Sequence, residues 1–254
     1  MLRIRTASIV LLSFVLLGSV MGNVGLIHFT RKLYAERLLA QVWPQGPPSP
    51  ALSGTATPPA TRTVLLLGDS RIADWKVQQI KNCSVLNFGV PGLTSAQLGL
   101  RCREWLQKSH PAIVVIQIGI NDLKVLGMRP ELRLAIVDTT VSNITAVAEE
   151  CRRHGSRVLL TRIWPGGQAS GFRRFVWSGH VNEAVAEVNR KLGNVPADAD
   201  QLRVADLFGD LTKESPPEFR NKLYRDTLHL KDEAYARLTP LLQKAIEPWL
   251  SGRL

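Results

Sequence analysis

Cysteine is scarce in this chain, with Cys83, Cys102 and Cys151 the only three among 254 residues. So small, odd and widely spaced a set excludes a disulfide framework, and it lacks the paired C-x-x-C spacing of a zinc site. The thiols read as buried and free, with one disulfide among them as the alternative in an oxidising compartment. The chain also lacks any repeat of fixed period, which excludes a solenoid or propeller. Acidic residues are nearly missing from positions 1–62, where Glu36 stands against six Lys and Arg. The net charge of +11 therefore divides almost evenly, +5 before position 63 and +6 after it. In the second part the cations are scattered, as Arg101/Arg103, Arg152/Arg153, Arg173/Arg174 and Arg190/Lys191, near expected helix ends and loops where the helix dipole favours them. No nucleic-acid motif accompanies the charge, so nucleic acid is not an expected partner.

Charge is absent altogether from positions 7–29, a run dominated by Ile, Val, Leu and Phe behind Arg3 and Arg5. As a helix it would span about 30 Å of hydrocarbon. Residues 1–30 thus read as a signal anchor, with a cleaved signal peptide as the competing reading because Gly18, Ser19 and Gly22 offer small residues for cleavage. The apolar run outlasts a typical signal core and continues into an amphipathic stretch at 33–42, which favours the anchor. Positive charge flanks both ends, so orientation is not fixed by it. The position of the anchor and its likeness to an export signal suggest a domain outside the cytoplasm, and a secreted one if the segment is cut. Residues 31–62 read as a juxtamembrane segment and linker, since Pro44, Pro47, Pro48, Pro50, Pro58 and Pro59 lie among Ser, Thr, Gly and Ala.

From 63 to 254 short apolar runs alternate with helical periodicity. Strands are expected at 63–67, 84–87, 112–118, 157–162 and 203–206, and helices at 72–80, 95–109, 131–154, 177–192 and 232–250. Strands that are apolar throughout must be covered on both faces, so the pattern predicts a three-layer α/β domain built on a doubly wound, five-stranded parallel sheet. About 190 residues suffice for one such core. Sites in this architecture lie beyond the carboxyl ends of the strands.

Four strand ends carry residues fit for chemistry. The first strand runs into Gly68-Asp69-Ser70, which delivers a hydroxyl to the sheet rim but is also an ordinary turn sequence. The second ends in Gly89-Val90-Pro91-Gly92, whose glycines let backbone approach a ligand or merely shape a turn. After the third comes Gly119-Ile120-Asn121-Asp122, equally good as a helix cap. Before the last helix lies Asp226-Thr227-Leu228-His229, where a carboxylate three residues ahead of an imidazole can fix its tautomer. His28, His110, His154 and His180 have no acid at such a spacing.

In that order the four blocks resemble the SGNH, or GDSL-type, hydrolase family, over nearly all of the folded part. The resemblance implies the flavodoxin-like fold of that family and a serine esterase that needs no metal or organic cofactor. It also implies roles: Ser70 as nucleophile, His229 and Asp226 as base and acid, and an oxyanion hole of the Ser70 and Gly92 N–H groups with the Asn121 amide. Asp69 and Asp122 would brace their turns. The implied substrate is a small-molecule, lipid or glycan ester with a short acyl group; a cell-surface O-acyltransferase using the same site, or a binding module without turnover, are the alternatives. Two positions depart from the pattern. Arg71 follows the serine where Leu or Ile is common, which suggests altered substrate choice, and Leu93 follows Gly92 where Asp is common. The G-x-S-x-G pattern of α/β-hydrolases is not met, because Ile72 takes the second glycine position. The 164–177 loop, with Gly166, Gly167, Gly171, Arg173 and Arg174, is expected to be a mobile, substrate-contacting segment on the active rim, its arginines suited to an anionic group.

Overall fold

The computed structural model describes residues 2–43, 63–198, 200–213 and 215–250. By contacts the chain forms two units, Met1–Arg37 and Leu38–Leu254. The first is helical, part of α1 (Leu2–Val42), and its side chains from Leu11 to Phe29 all stand exposed. This helix is long and apolar enough to cross a membrane. The second unit opens with the last turn of α1, where Leu38 and Val42 are buried and the Gln41 carbonyl accepts a hydrogen bond from Thr94 Oγ1 (2.7 Å).

The remaining elements follow in chain order. β1 (Thr63–Gly68) leads to a single turn, α2 (Ser70–Ala73), then to β2 (Gln79–Ile80) and β3 (Cys83–Gly89). α3 (Ser95–Ser109), β4 (Ile113–Gln117), the short α4 (Ile120–Leu123), α5 (Arg133–Arg153), β5 (Arg157–Thr161) and α6 (Gly179–Gly193) come next. β6 (Leu202–Ala205), α7 (Leu207–Thr212), α8 (Pro217–Lys222) and α9 (Asp232–Leu250) complete the domain.

The sheet order is β2-β3-β1-β4-β5-β6. Five strands are parallel, as the apolar runs predict, and β2 adds a two-residue antiparallel edge through Ile80 and Cys83. Helical periodicity at 72–80 gives way to this edge for a local reason. The Asn87 side-chain amide donates to the carbonyls of Ile72 (2.7 Å) and Trp75 (2.9 Å), occupying acceptors that a continuing helix would use. β1, β4 and most of β5 are buried on both faces. Val64, Leu66, Ile113, Val115 and Leu159 pack with α9 through Leu238, Leu242 and Ile246, while the alternate residues face the other layer, built from α3, α5 and α6. Cys83, Cys102 and Cys151 are buried free thiols, the last two with sulfurs 3.7 Å apart between α3 and α5.

From β1 the chain steps outward to β3 and then returns across β1 to β4. The strand order therefore reverses at β1, and a crevice opens there between loops that leave in opposite directions. Gly68 pairs with Gly89 on one side and Gln117 on the other, so the Ser70 turn emerges between the 89–94 loop and α4. Close approach demands glycine at both ends of that first pair. A Cβ on Gly68 would lie 2.1 Å from the Gln117 carbonyl oxygen, and one on Gly89 2.1 Å from the Ala73 nitrogen.

Candidate active site

Ser70 is the first residue of α2, and the turn is fixed by the residue before it. Asp69, wholly buried, caps the turn by accepting the Arg71 N–H at Oδ1 (2.9 Å). Burial raises the Asp69 pKa, against the opposing influence of Arg71, and its Oδ2 has no hydrogen-bond partner among the described residues. The serine hydroxyl stands 2.9 Å from His229 Nε2, and His229 Nδ1 stands 2.8 Å from Asp226 Oδ2. These residues lie 159 and 3 positions apart, so the sheet brings the first pair together and one tight turn the second.

That turn is organised by the carboxylate itself. Asp226 Oδ1 accepts the backbone N–H groups of Leu228 (2.7 Å) and His229 (3.0 Å), which frees Oδ2 for the imidazole. Burial works to raise the Asp226 pKa, but the hydrogen bonds from the His229 ring, the His229 N–H and the Leu228 N–H outweigh it and hold the group well below the usual carboxylate range. An anionic Asp226 favours the imidazole tautomer with its proton on Nδ1, in which Nε2 can accept a hydrogen bond from the Ser70 hydroxyl.

Gly92 and Asn121 sit on the flanking loops. Gly92 has φ +80°, a left-handed conformation that favours glycine, and its N–H donates to no backbone carbonyl among the described residues. Asn121 is buried, and its Nδ2 donates one hydrogen bond to the Leu93 carbonyl (2.9 Å). An amide nitrogen carries two donors, so one orients the side chain and the second remains for a ligand. This bond also ties α4 to the residue after Gly92. Asp122 reinforces the join, accepting the Ser95 N–H and hydroxyl at the start of α3. Its pKa is raised to about 6 by burial, partly offset by those hydrogen bonds.

Arg71 behaves differently from the expectation of a cation facing substrate. It is fully buried, turned inward to the carbonyls of Leu228, Trp164 and Pro165. The beginning of the 164–177 loop is likewise bolted down rather than mobile. Trp164 is buried, Gly166 exchanges two hydrogen bonds with the Asn182 side chain (2.8 and 3.0 Å), and the Gly167 N–H donates to the Thr227 carbonyl (2.8 Å). A Cβ on Gly167 would press within 2.8 Å of the Tyr224 ring. Further along, Arg173 reaches Asp226 Oδ1 at a long 3.5 Å, an approach that sequence spacing does not signal, while Arg174 is exposed. Among the described residues no group of three or more His, Cys, Asp or Glu could hold a metal ion.

The sequence profile of the GDSL-like lipase/acylhydrolase family matches residues 54–237. The chain belongs to that family. Its fold is shared by solved structures at low identity. A GDSL-like lipase from Bacteroides thetaiotaomicron is 21% identical with a TM-score of 0.58, over 86% of this chain and 98% of that one. The lipase/acylhydrolase from Enterococcus faecalis is 23% identical with a TM-score of 0.54, over 74% and 96%. An acetyl xylan esterase, AlAXEase, is 20% identical with a TM-score of 0.53, over 72% and 99%. No curated protein matches the chain. Membership makes this protein a hydrolase of the acylhydrolase and esterase kind.

Proposed function

We propose that the protein is a membrane-tethered serine esterase that removes short acyl groups, acetyl among them, from small-molecule, lipid or glycan esters. The observation that carries this reading is the unbroken relay from Ser70 Oγ through both ring nitrogens of His229 to Asp226. In the reaction His229 Nε2 takes the Ser70 proton as Oγ attacks the ester carbonyl, and Asp226 stabilises the imidazolium that forms. Charge collects on the carbonyl oxygen, where the N–H groups of Ser70 and Gly92 and the free Asn121 donor stabilise it. The imidazolium then returns its proton to the departing alkoxide. A water molecule, deprotonated by the same nitrogen, cleaves the acyl-serine and regenerates the hydroxyl. No step calls for a metal or organic cofactor.

Tethering rests on the exposed apolar face of the N-terminal helix, which is stable in lipid and costly in water. The catalytic domain then acts outside the cytoplasm, at a surface where glycan and lipid esters are presented. An active reporter fused after Leu254 and detected only in the cytoplasm would overturn that placement.

The test of the chemistry is hydrolysis of chromogenic acetyl, butyryl and octanoyl esters by the full chain in detergent. Turnover should be highest for the shortest acyl group, and Ser70→Ala should lower kcat by at least about 10⁴. Undiminished turnover in Ser70→Ala refutes the assignment. Transfer of a labelled acyl group to an acceptor glycan in place of water would identify an acyltransferase instead.

A further inference from the structure

We propose that Arg71 is the positioning residue of the catalytic base, locking the turn that bears the nucleophile to the turn that bears His229; the inference rests on the serine esterase reading above. Arg71 follows Ser70 directly in α2, and its side chain is wholly shielded from solvent. Its guanidinium donates from Nε to the Leu228 carbonyl (2.9 Å), from Nη1 to the Trp164 carbonyl and from Nη2 to the Pro165 carbonyl (3.1 Å). Leu228 is the residue immediately before His229. One planar group therefore spans three separate pieces of chain: the Ser70 turn, the start of the loop that follows β5 (the β5 loop) and the His229 turn.

The acceptors decide what this cation is for. The Arg71 guanidinium makes its hydrogen bonds to backbone carbonyls, which cannot move away independently of the chain, while the buried Asp69 carboxyl interacts with it only through space. It is closed to solvent and so to substrate. Three differently directed carbonyls suit the fixed fork of a guanidinium, and a lysine ammonium, a single point charge on a flexible stem, cannot reach all three.

Apolar packing also joins these pieces, with the Trp75 and Trp164 rings edge to face at 5.8 Å, but such contacts fix hydrogen-bond geometry less tightly than directed polar bonds. Among the described residues, few other polar contacts set the distance between Ser70 and His229. Apart from the reacting hydrogen bond, α2 and its C-cap residue Asp74 reach the 225–229 segment through an Arg225–Asp74 ion pair at 3.1 Å, whose partners are 57% and 33% exposed. An exposed pair of that kind holds geometry weakly. The Gly167–Thr227 hydrogen bond and the Tyr224 hydroxyl on the Pro165 carbonyl (2.6 Å) fasten the β5 loop to the His229 segment, but neither touches α2. Arg71 joins that assembly to the nucleophile. Loss of the join leaves the relay assembled on two turns free to shift, and a misplacement near 1 Å costs about 10² in rate.

The experiment compares Arg71→Met, Arg71→Lys and Tyr224→Phe with the unmodified full chain in detergent. Steady-state hydrolysis of the acetyl ester and the rate of Ser70 labelling by a fluorophosphonate are both measured. Arg71→Met should lower kcat about 10²-fold and Arg71→Lys about tenfold, with KM within twofold and labelling slowed in step. Tyr224→Phe, which loosens the same loop without releasing the His229 turn from α2, should keep kcat within threefold. Folded Arg71 variants with unchanged kcat overturn the inference, as does a rise in KM alone, which would make Arg71 a substrate contact. An equal loss in Tyr224→Phe overturns it too, by placing the effect in the β5 loop. If Arg71→Met does not fold, Arg71→Lys decides, and collapse of both variants makes Arg71 purely structural. An unmodified chain inert to both ester and fluorophosphonate sinks the serine esterase reading, whereas a reactive one with unaltered Arg71 variants sinks this inference alone.

Discussion

Two arginines meet the Asp226–His229 turn, and their surroundings give them different work. Arg71 is sealed from water and spread over three carbonyls. Arg173 approaches from the rim, its side chain 36% exposed and 3.5 Å from a carboxylate oxygen that already accepts two backbone N–H groups. The sealed contact cannot be released without leaving buried polar groups unpaired, whereas the exposed one exchanges readily with water. The same division runs through the whole site. Asp69, Arg71, Asn121 and Asp122 form a buried polar floor beneath the sheet rim, while Arg173, Arg174 and Arg225 are charges facing solvent. Floor residues should therefore control kcat and fold, and rim residues should control little beyond encounter.

Substitutions on the floor and on the rim break or sharpen that contrast. The largest effect belongs to Asn121→Ala, which removes the donor proposed for the developing oxyanion and the tie to Leu93. It should lower kcat by about 10² to 10³ at nearly constant KM, read from ester hydrolysis; a change confined to KM would move Asn121 from the oxyanion hole to ground-state binding.

A floor residue of intermediate effect is Asp122, whose influence lies in the pH dependence of stability. A carboxyl with a pKa raised to about 6 binds its proton more tightly in the folded chain than in the unfolded one. Its contribution is thus greatest at low pH and declines as pH rises from about 4 to about 6, above which the loss is complete. Asp122→Asn keeps a neutral side chain throughout, so its Tm should gain on the unmodified chain across that interval and run parallel to it above. Thermal unfolding at half-unit pH steps measures this, and a constant difference from pH 4 to pH 6 would show that Asp122 keeps an ordinary pKa.

The smallest effect is assigned to the rim. Arg173→Ala should change kcat/KM less than about fivefold for a neutral ester, with the change fading as salt is raised. A salt-independent loss as large as that of Asn121→Ala would abolish the distinction between floor and rim.

Much of the fold is legible in the sequence alone. The apolar runs at 63–67, 112–118 and 157–162 are buried on both faces because parallel strands have helices above and below them, and composition alone carries that signal. The strand-end positions of Ser70, Gly92 and Asn121 follow from the same alternation, whereas α7 and α8 stand between the last strand and His229. Other features stayed hidden. Helical spacing at 72–80 could not foresee that the Asn87 amide, from the neighbouring strand, would claim the carbonyls of Ile72 and Trp75. Glycines and arginines in the 164–177 loop suggested motion, yet Asn182 and Thr227 fasten its first residues.

By itself, then, the sequence determined the layered sheet, the apolar N-terminal helix and the set of groups at the strand ends, since each depends on local pattern and on the need to bury apolar surface. Tertiary structure alone decided how those groups are held. Nothing near Arg71 in the chain says whether its side chain points to solvent or inward. Its Nε partner, the Leu228 carbonyl, is 157 positions away, and only the closed sheet sets that carbonyl beside it.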